Sequence, residues 1–98
     1  MLISKSSYDA GDILTFKLVN GDEIVAKLVE QTDSAYTLDR PCTVVPSAKG
    51  IGLMQSLFTG EVDQKVVLDR NHVMMHVATV KDIKNHYLQT TTGISLVI

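Results

Sequence analysis

The sequence predicts a mostly β fold, a small five-stranded open barrel with a C-terminal helix. Three observations predict it. The pair Asn20-Gly21 stands between two segments of alternating apolar character. Short apolar runs separated by turn clusters then follow along the chain. Near the end the apolar period changes from that of a strand to that of a helix.

The first hairpin is the clearest element. Ile13 to Val19 and Asp22 to Val29 flank Asn20-Gly21. Asn-Gly tolerates positive φ at both central positions, so a two-residue type I′ turn is expected. Strands are expected over 13–19 and 23–31, with Leu14, Phe16 and Leu18 sharing one face and Ile24, Ala26 and Leu28 sharing the one that faces it. Gln31-Thr32-Asp33-Ser34 is a turn cluster, because short polar side chains bond their own backbone there. A strand over 35–46 follows. Pro41 and Pro46 each lack a ladder donor, which places them at an irregular stretch or a strand end.

Residues 47–52 read as a flexible loop. Leu53 to Phe58 suits a strand or a short helix, with the strand preferred. Thr59 to Asp63 is a turn. Strands over 64–68 and 73–80 are split by the polar turn Asp69-Arg70-Asn71-His72. Val80, Ile83, Tyr87 and Leu88 recur at helical spacing, so a helix is expected over about 80–89, ending before Gly93. Thr79 and Asp82 stand at capping-box spacing. Residues 1–10 read as an arm or one helical turn. The chain forms one domain over 1–98, with the barrel over about 11–80.

Composition narrows the function. Hydrophobic residues are 45% and charged residues 20%, enough apolar content for one modest core. The net charge of −2 argues against a generally basic nucleic-acid surface, although a local one depends on where the cations sit. The single Cys42 cannot form an internal disulfide, and the first residues contain no apolar secretory stretch. A cytoplasmic protein is the expectation, with no membrane partner.

Five short strands, an Asn-Gly first hairpin and a tight polar turn before the last strand resemble the Sm and Sm-like family, which includes bacterial Hfq. Leu18-Val19-Asn20-Gly21 matches the start of that family's first motif. Ala26-Lys27-Leu28 stands where Gly-x-Leu is expected, and Asp33-Ser34-Ala35-Tyr36-Thr37-Leu38 where Asp-x-x-Met-Asn-Leu is expected. Leu68-Asp69-Arg70-Asn71-His72-Val73 is loosely similar to the second motif. Gly50 to Met54 and the helix at the C-terminus resemble small Sm-like proteins encoded by tailed phages. The family Gly is Ala26 here, and the family Asn that grips uracil is Thr37. A hydroxyl cannot supply the paired donor and acceptor of an amide.

The resemblance implies an SH3-like open barrel assembled as a homo-oligomeric ring of about five to seven subunits, closed head to tail through strand edges. It implies single-stranded RNA binding at the pore by Asp33, Tyr36, Thr37, Arg70, Asn71 and His72. Tyr36 would stack on a base and Arg70 would lie beside it. Read without the resemblance, Tyr36 alternates with Leu38 as a core or rim aromatic, and Arg70 pairs with Asp69 or Asp39. The last strand, Val73 to Ala78, is apolar on both faces, so Val73, Met75 and Val77 are the candidate subunit contacts. The same pattern would fit a strand buried inside a monomer. Leu53-Met54 and Leu57-Phe58 either cover a neighbouring subunit or complete the core.

No catalytic arrangement is present. The chain has no Gly-x-Ser-x-Gly, and Cys42 has no His near it in sequence. His72 and His76 share a strand face by even spacing but lie too far apart along it to chelate one ion. Neither a cofactor nor a metal is expected. The leading reading is an RNA-binding ring. The alternative is a non-enzymatic assembly or adaptor ring, of the phage structural or host-interaction kind.

Overall fold

The Asn20-Gly21 hairpin sets the register of the sheet, but not through a two-residue turn. The computed structural model describes residues 8–61 and 63–94. Strand β1 (Ile13–Leu18) pairs with β2 (Glu23–Gln31), with Phe16 opposite Ile24 and Leu14 opposite Ala26. The Leu18 N–H donates to the Asp22 carbonyl at 2.8 Å, and the Gly21 N–H donates to the Leu18 carbonyl at 2.9 Å. Gly21 has φ +97, and Arg40 is the one described non-glycine residue with positive φ. Asn20 therefore keeps negative φ, and the loop is the three-residue kind with glycine in the left-handed position. Asn20 contributes differently, accepting the Asp22 N–H on its side-chain oxygen at 3.0 Å.

Strand β3 (Ala35–Ser47) is the longest and bends in its middle. Along one edge it pairs with β2. Val25 faces Cys42 and Lys27 faces Asp39, so Arg40 and Pro41 together oppose Ala26. That extra residue is a β-bulge, with Arg40 at φ +50. Both prolines lie where they are expected, Pro41 in the bulge and Pro46 next to the last residue of β3.

Beyond the bulge, β3 reverses at Ala48-Lys49 into β4 (Gly50–Gln55). Gly50 takes φ +116, which the close turn requires. Residues 50–52, read from sequence as loop, are thus strand, and 56–58 are not. Before the bulge, the same edge of β3 pairs with β5 (Val66–Asp69). A 3₁₀ turn, Arg70–His72, leads into β6 (Val73–Ala78), which pairs with β1. The sheet has six antiparallel strands rather than five, ordered β4-β3-β2-β1-β6, with β5 beside β3.

Its two flanking strands, β5 and β6, are joined by only three residues, so the sheet curls back on itself. Inside the curl lie Leu14, Phe16, Ile24, Ala26, Leu28, Tyr36 and Leu38. Each of the larger apolar side chains buried there contributes about 1.5–3 kcal/mol. No strand pairing between β5 and β6 closes the sheet among the described residues.

Helix α1 (Lys81–Ile94) covers the outer face. Ile83 and Tyr87 pack there with Ile13, Val25, Cys42, Val44 and Leu53. Val80 and Leu88, the other two residues of the expected apolar stripe, are exposed. The helix begins when the Lys84 N–H bonds the Val80 carbonyl at 2.9 Å. Thr79 does not cap it, because its hydroxyl bonds the Thr15 hydroxyl at 2.8 Å. The helix also runs past its expected end and through Gly93. Buried Thr91 bonds the Tyr87 carbonyl through its hydroxyl at 2.9 Å, and Arg40 donates to the Thr91 carbonyl at 2.8 Å. Tertiary contact therefore outweighs the weak helix propensity of Thr and Gly. The arm expected over 1–10 lies mostly outside the described residues.

Candidate functional site

The polar corner between β5 and β6 gathers most of the residues singled out from the sequence. Asp69 precedes the 3₁₀ turn and accepts the Asn71 N–H at 2.9 Å. The turn is tied to both neighbouring loops through backbone. The Arg70 N–H bonds the Ser34 carbonyl at 3.0 Å, and the Val19 N–H bonds the His72 carbonyl at 2.9 Å. Thr32 shapes the β2–β3 loop beside it, its hydroxyl accepting the Ser34 and Ala35 N–H groups.

Arg70 spans this corner. Its guanidinium donates to the Thr32 carbonyl and to the Tyr36 hydroxyl at 2.9 Å, and lies 4.6 Å from the centre of the Tyr36 ring. It makes no ion pair with Asp69 or Asp39; Asp39 lies instead beside Lys65 at 3.7 Å and Arg40 at 3.9 Å.

Tyr36 itself is 1% exposed. Phe16 lies 4.9 Å away and His76 5.8 Å away, measured between ring centres. With Arg70 also against its ring, Tyr36 offers no open face for a base. Thr37 lies next to it on β3 and points to the opposite face, so the two do not meet on one ligand. Asp33, Asn71 and His72 are exposed around the corner. His72 belongs to the turn and not to the strand, so it does not share a strand face with His76.

The candidate contact strand β6 divides in the same way. Val73 turns inward against the core. Met75 and Val77 are 61% and 60% exposed. Met74, which the sequence reading passed over, is as exposed as they are. One edge of β6 pairs with β1 and the other has no strand beside it. The outer edge of β5 is equally unpaired among the described residues.

Two further clusters carried weaker sequence signals. Tyr8 bonds His76 Nδ1 through its hydroxyl at 2.8 Å and meets the ring edge-on. Burial, with the nearby Tyr36, pushes the Tyr8 hydroxyl above its ordinary pKa.

The second cluster is the seam where α1 meets the bulge. The Tyr87 hydroxyl accepts the Lys27 N–H at 3.2 Å and reaches the carbonyls of Asp39 at 2.8 Å and Arg40 at 3.0 Å. It thus satisfies the backbone groups that the bulge removes from the ladder. Burial above all, then the Cys42 thiol, holds the Tyr87 proton on well above the usual phenol range. Burial likewise raises the Cys42 thiol, which is poor chemistry for a nucleophile. Beside the seam is a mostly apolar cleft of about 240 Å³, with Pro41, Cys42, Leu57 and Val66 among its walls. Helical spacing flags Tyr87, and Pro41 flags an irregularity, but nothing in the sequence joins the two.

Among the described residues, no group of three His, Cys, Asp or Glu side chains converges as a metal site would need. No described helix is long and apolar enough to cross a membrane. No protein-family model and no curated protein matches the sequence.

Proposed function

We propose that this chain is the subunit of an Sm-like, homo-oligomeric ring that acts as a non-enzymatic assembly or adaptor scaffold. One observation carries the reading: among the described residues the outer edges of β5 and β6, joined by the 3₁₀ turn, are both unpaired, and β6 presents Met74, Met75 and Val77 to solvent. Unpaired edges recruit other strands unless charge or cover blocks them. The two edges are different surfaces of one subunit, so pairing between them is head to tail. Such a contact gives a ring when its rotation closes. The curl of the sheet and the short 3₁₀ link between β5 and β6 suit the SH3-like barrel of the Sm-like resemblance.

Light scattering at micromolar concentration tests this reading. The wild type should run as a ring of about five to seven subunits, or as a whole multiple of one where rings associate. Val77→Asp should dissociate the ring edge, because each interface would bury an unpaired carboxylate. A wild type without higher assembly would remove the reading.

The RNA-binding reading has one observation in its favour, the exposed cluster of Asp33, Asn71 and His72 around Arg70. It requires Arg70 to leave Tyr36 and the Tyr36 ring to emerge from the core. Fluorescence anisotropy with oligo-U, oligo-A and matched DNA at two salt concentrations separates the two. Salt-sensitive binding of RNA alone would restore the pore reading; no binding at low salt would leave the scaffold.

A further inference from the structure

The β3–β4 ribbon ends in a free edge of its own. From Pro41 to Gly60 the chain bears one charged residue, Lys49. β4 forms the outermost strand of the sheet, and its outer edge is unpaired among the described residues. Edge strands exposed to solvent are normally guarded by charge, proline or a bulge. Gly50 to Gln55 contains none of these. Past Thr43, β3 no longer pairs with β2, so Val44 to Ser47 and their partners in β4 stand out as a two-strand ribbon. Two strands alone are marginal in water, and this ribbon gains from a third.

We infer that β4 pairs with β4 of a second copy of this chain, antiparallel, about a two-fold axis at Gly52. A two-fold perpendicular to a sheet pairs one residue with itself, and its neighbours follow in order. With Gly52 on the axis, Ile51 faces Leu53 of the other copy. Both lie on the face occupied by Val44 and Pro46, so the apolar surface runs unbroken across the join. On the other face Met54 stands over Gly50 of the other copy, a flexible side chain above a position with none. Lys49 faces Gln55 of the other copy. Gln55 and the exposed Glu61 line one cleft, so Lys49 of the partner copy comes to the mouth of a cleft that carries a carboxylate. This charge complementarity fits a second copy of the same chain. Centring the axis on Leu53 would set Ile51 against Gln55 and lose both the apolar pair and the Lys49 contact.

This interface is separate from the β5 and β6 edges. Where those edges close a ring, it joins one ring to another; where they do not, it gives a dimer. The experiment therefore uses Val77→Asp to remove the first association and reads the second by concentration-dependent light scattering. The V77D protein should remain a dimer. Adding Gln55→Lys sets two like-charge pairs across the axis and should raise the dimer Kd about tenfold. Adding Lys49→Glu to that variant exchanges the charges and should restore the Kd. Ile51→Lys, at a position already half in solvent, should leave a monomer with an unchanged circular dichroism spectrum.

A V77D protein that is monomeric throughout overturns the β4 inference and leaves the ring reading untouched. An unchanged Kd on adding Gln55→Lys overturns it too, because the proposed register fixes that pairing. A wild type that is only a dimer, with V77D the same, supports the β4 contact and removes the ring.

Discussion

Tyr36 and Tyr87 lie on opposite faces of one sheet, both closed to solvent, and their surroundings differ in kind. Tyr36 is held by other side chains: Phe16 and His76 around its ring, Arg70 at its hydroxyl and beside its ring. Tyr87 is held by backbone, its hydroxyl meeting one N–H and two carbonyls at the Arg40-Pro41 bulge. The first stabilises by volume and contact, the second by completing hydrogen bonds that the strand pairing leaves open. Truncating each tyrosine in two steps separates these contributions.

The largest effect should come from Tyr36→Ala. Removing a fully buried aromatic from the cluster inside the curled sheet should cost about 3–5 kcal/mol. Denaturant unfolding measures it, and the m-value should stay constant if only stability has changed. Tyr36→Phe keeps the volume and leaves Arg70 other partners at the Thr32 carbonyl and in water, so its cost should stay near 1 kcal/mol. A tolerated Tyr36→Ala would mean that the ring is not core, and would reopen its use as a stacking surface.

Tyr87 reverses the ratio. Tyr87→Phe keeps the ring and strands the Lys27 N–H and the Asp39 and Arg40 carbonyls, so about 1–3 kcal/mol should be lost by the hydroxyl alone. The same residue gives a pH dependence. Its folded pKa lies above the ordinary value of 10.0, mainly through burial. The unfolded chain releases that proton first, so the Tyr87 contribution is complete below about pH 10 and declines as pH rises beyond it. Tyr87→Phe should flatten the fall of the unfolding midpoint above that pH. A Tyr87→Phe protein with the same alkaline slope as wild type would assign the slope elsewhere, to Cys42 or Tyr8, whose pKa values burial also raises.

The same contrast explains what the sequence made legible. The inner face was readable because strand alternation repeats: Leu14, Phe16, Ile24, Ala26, Leu28 and Leu38 follow the period of two on adjacent strands and meet in one cluster. The expected positions of β1, β2 and β3 were right to within a residue or so for that reason. The bulge depends on a mismatch between two strands, and local pattern does not record a register. β4 was displaced because Gly50 and Gly52 look like loop residues, whereas Gly50 serves the turn and Gly52 sits in the strand. The candidate site suffered from the same gap. Tyr36 was correctly placed on β3, but alternation alone cannot say whether its face is the inside of the curled sheet or its rim. Val73 differs from Met75 because the pairing of β1 with β6 shifts between Lys17 and Leu18.

The hairpin loop gives a smaller, sharper test. Gly21→Val places a β-branched residue at φ +97, in otherwise open space. The cost should be about 1 kcal/mol or more, and strain is its source because no side-chain clash exists there. Asn20→Gly distinguishes the two loop types. In a type I′ turn glycine would suit the Asn20 position well. In the three-residue loop it loses the bond to the Asp22 N–H, so a modest loss of stability is expected. A gain in the denaturant midpoint would favour the two-residue turn.

Arg70→Ala should have the smallest effect on stability and the greatest power to sort function from packing. The guanidinium is half-exposed, and an exposed cation over an aromatic ring is worth about 0.5–1 kcal/mol. Its hydrogen bond to Tyr36 can be taken over by water once the side chain is gone. The loss should therefore be about 1 kcal/mol, with any association through β5 and β6 unchanged, because the 3₁₀ turn is fixed through backbone bonds and through Asp69. If the chain is a scaffold, Arg70→Ala leaves every partner interaction as it was. If the corner binds RNA, Arg70→Ala exposes the Tyr36 edge and removes a phosphate contact at once, so affinity falls and the slope of log K against log salt becomes shallower by about one unit. Measuring stability and RNA anisotropy on this one variant decides whether Arg70 serves to cover Tyr36 or to meet a ligand.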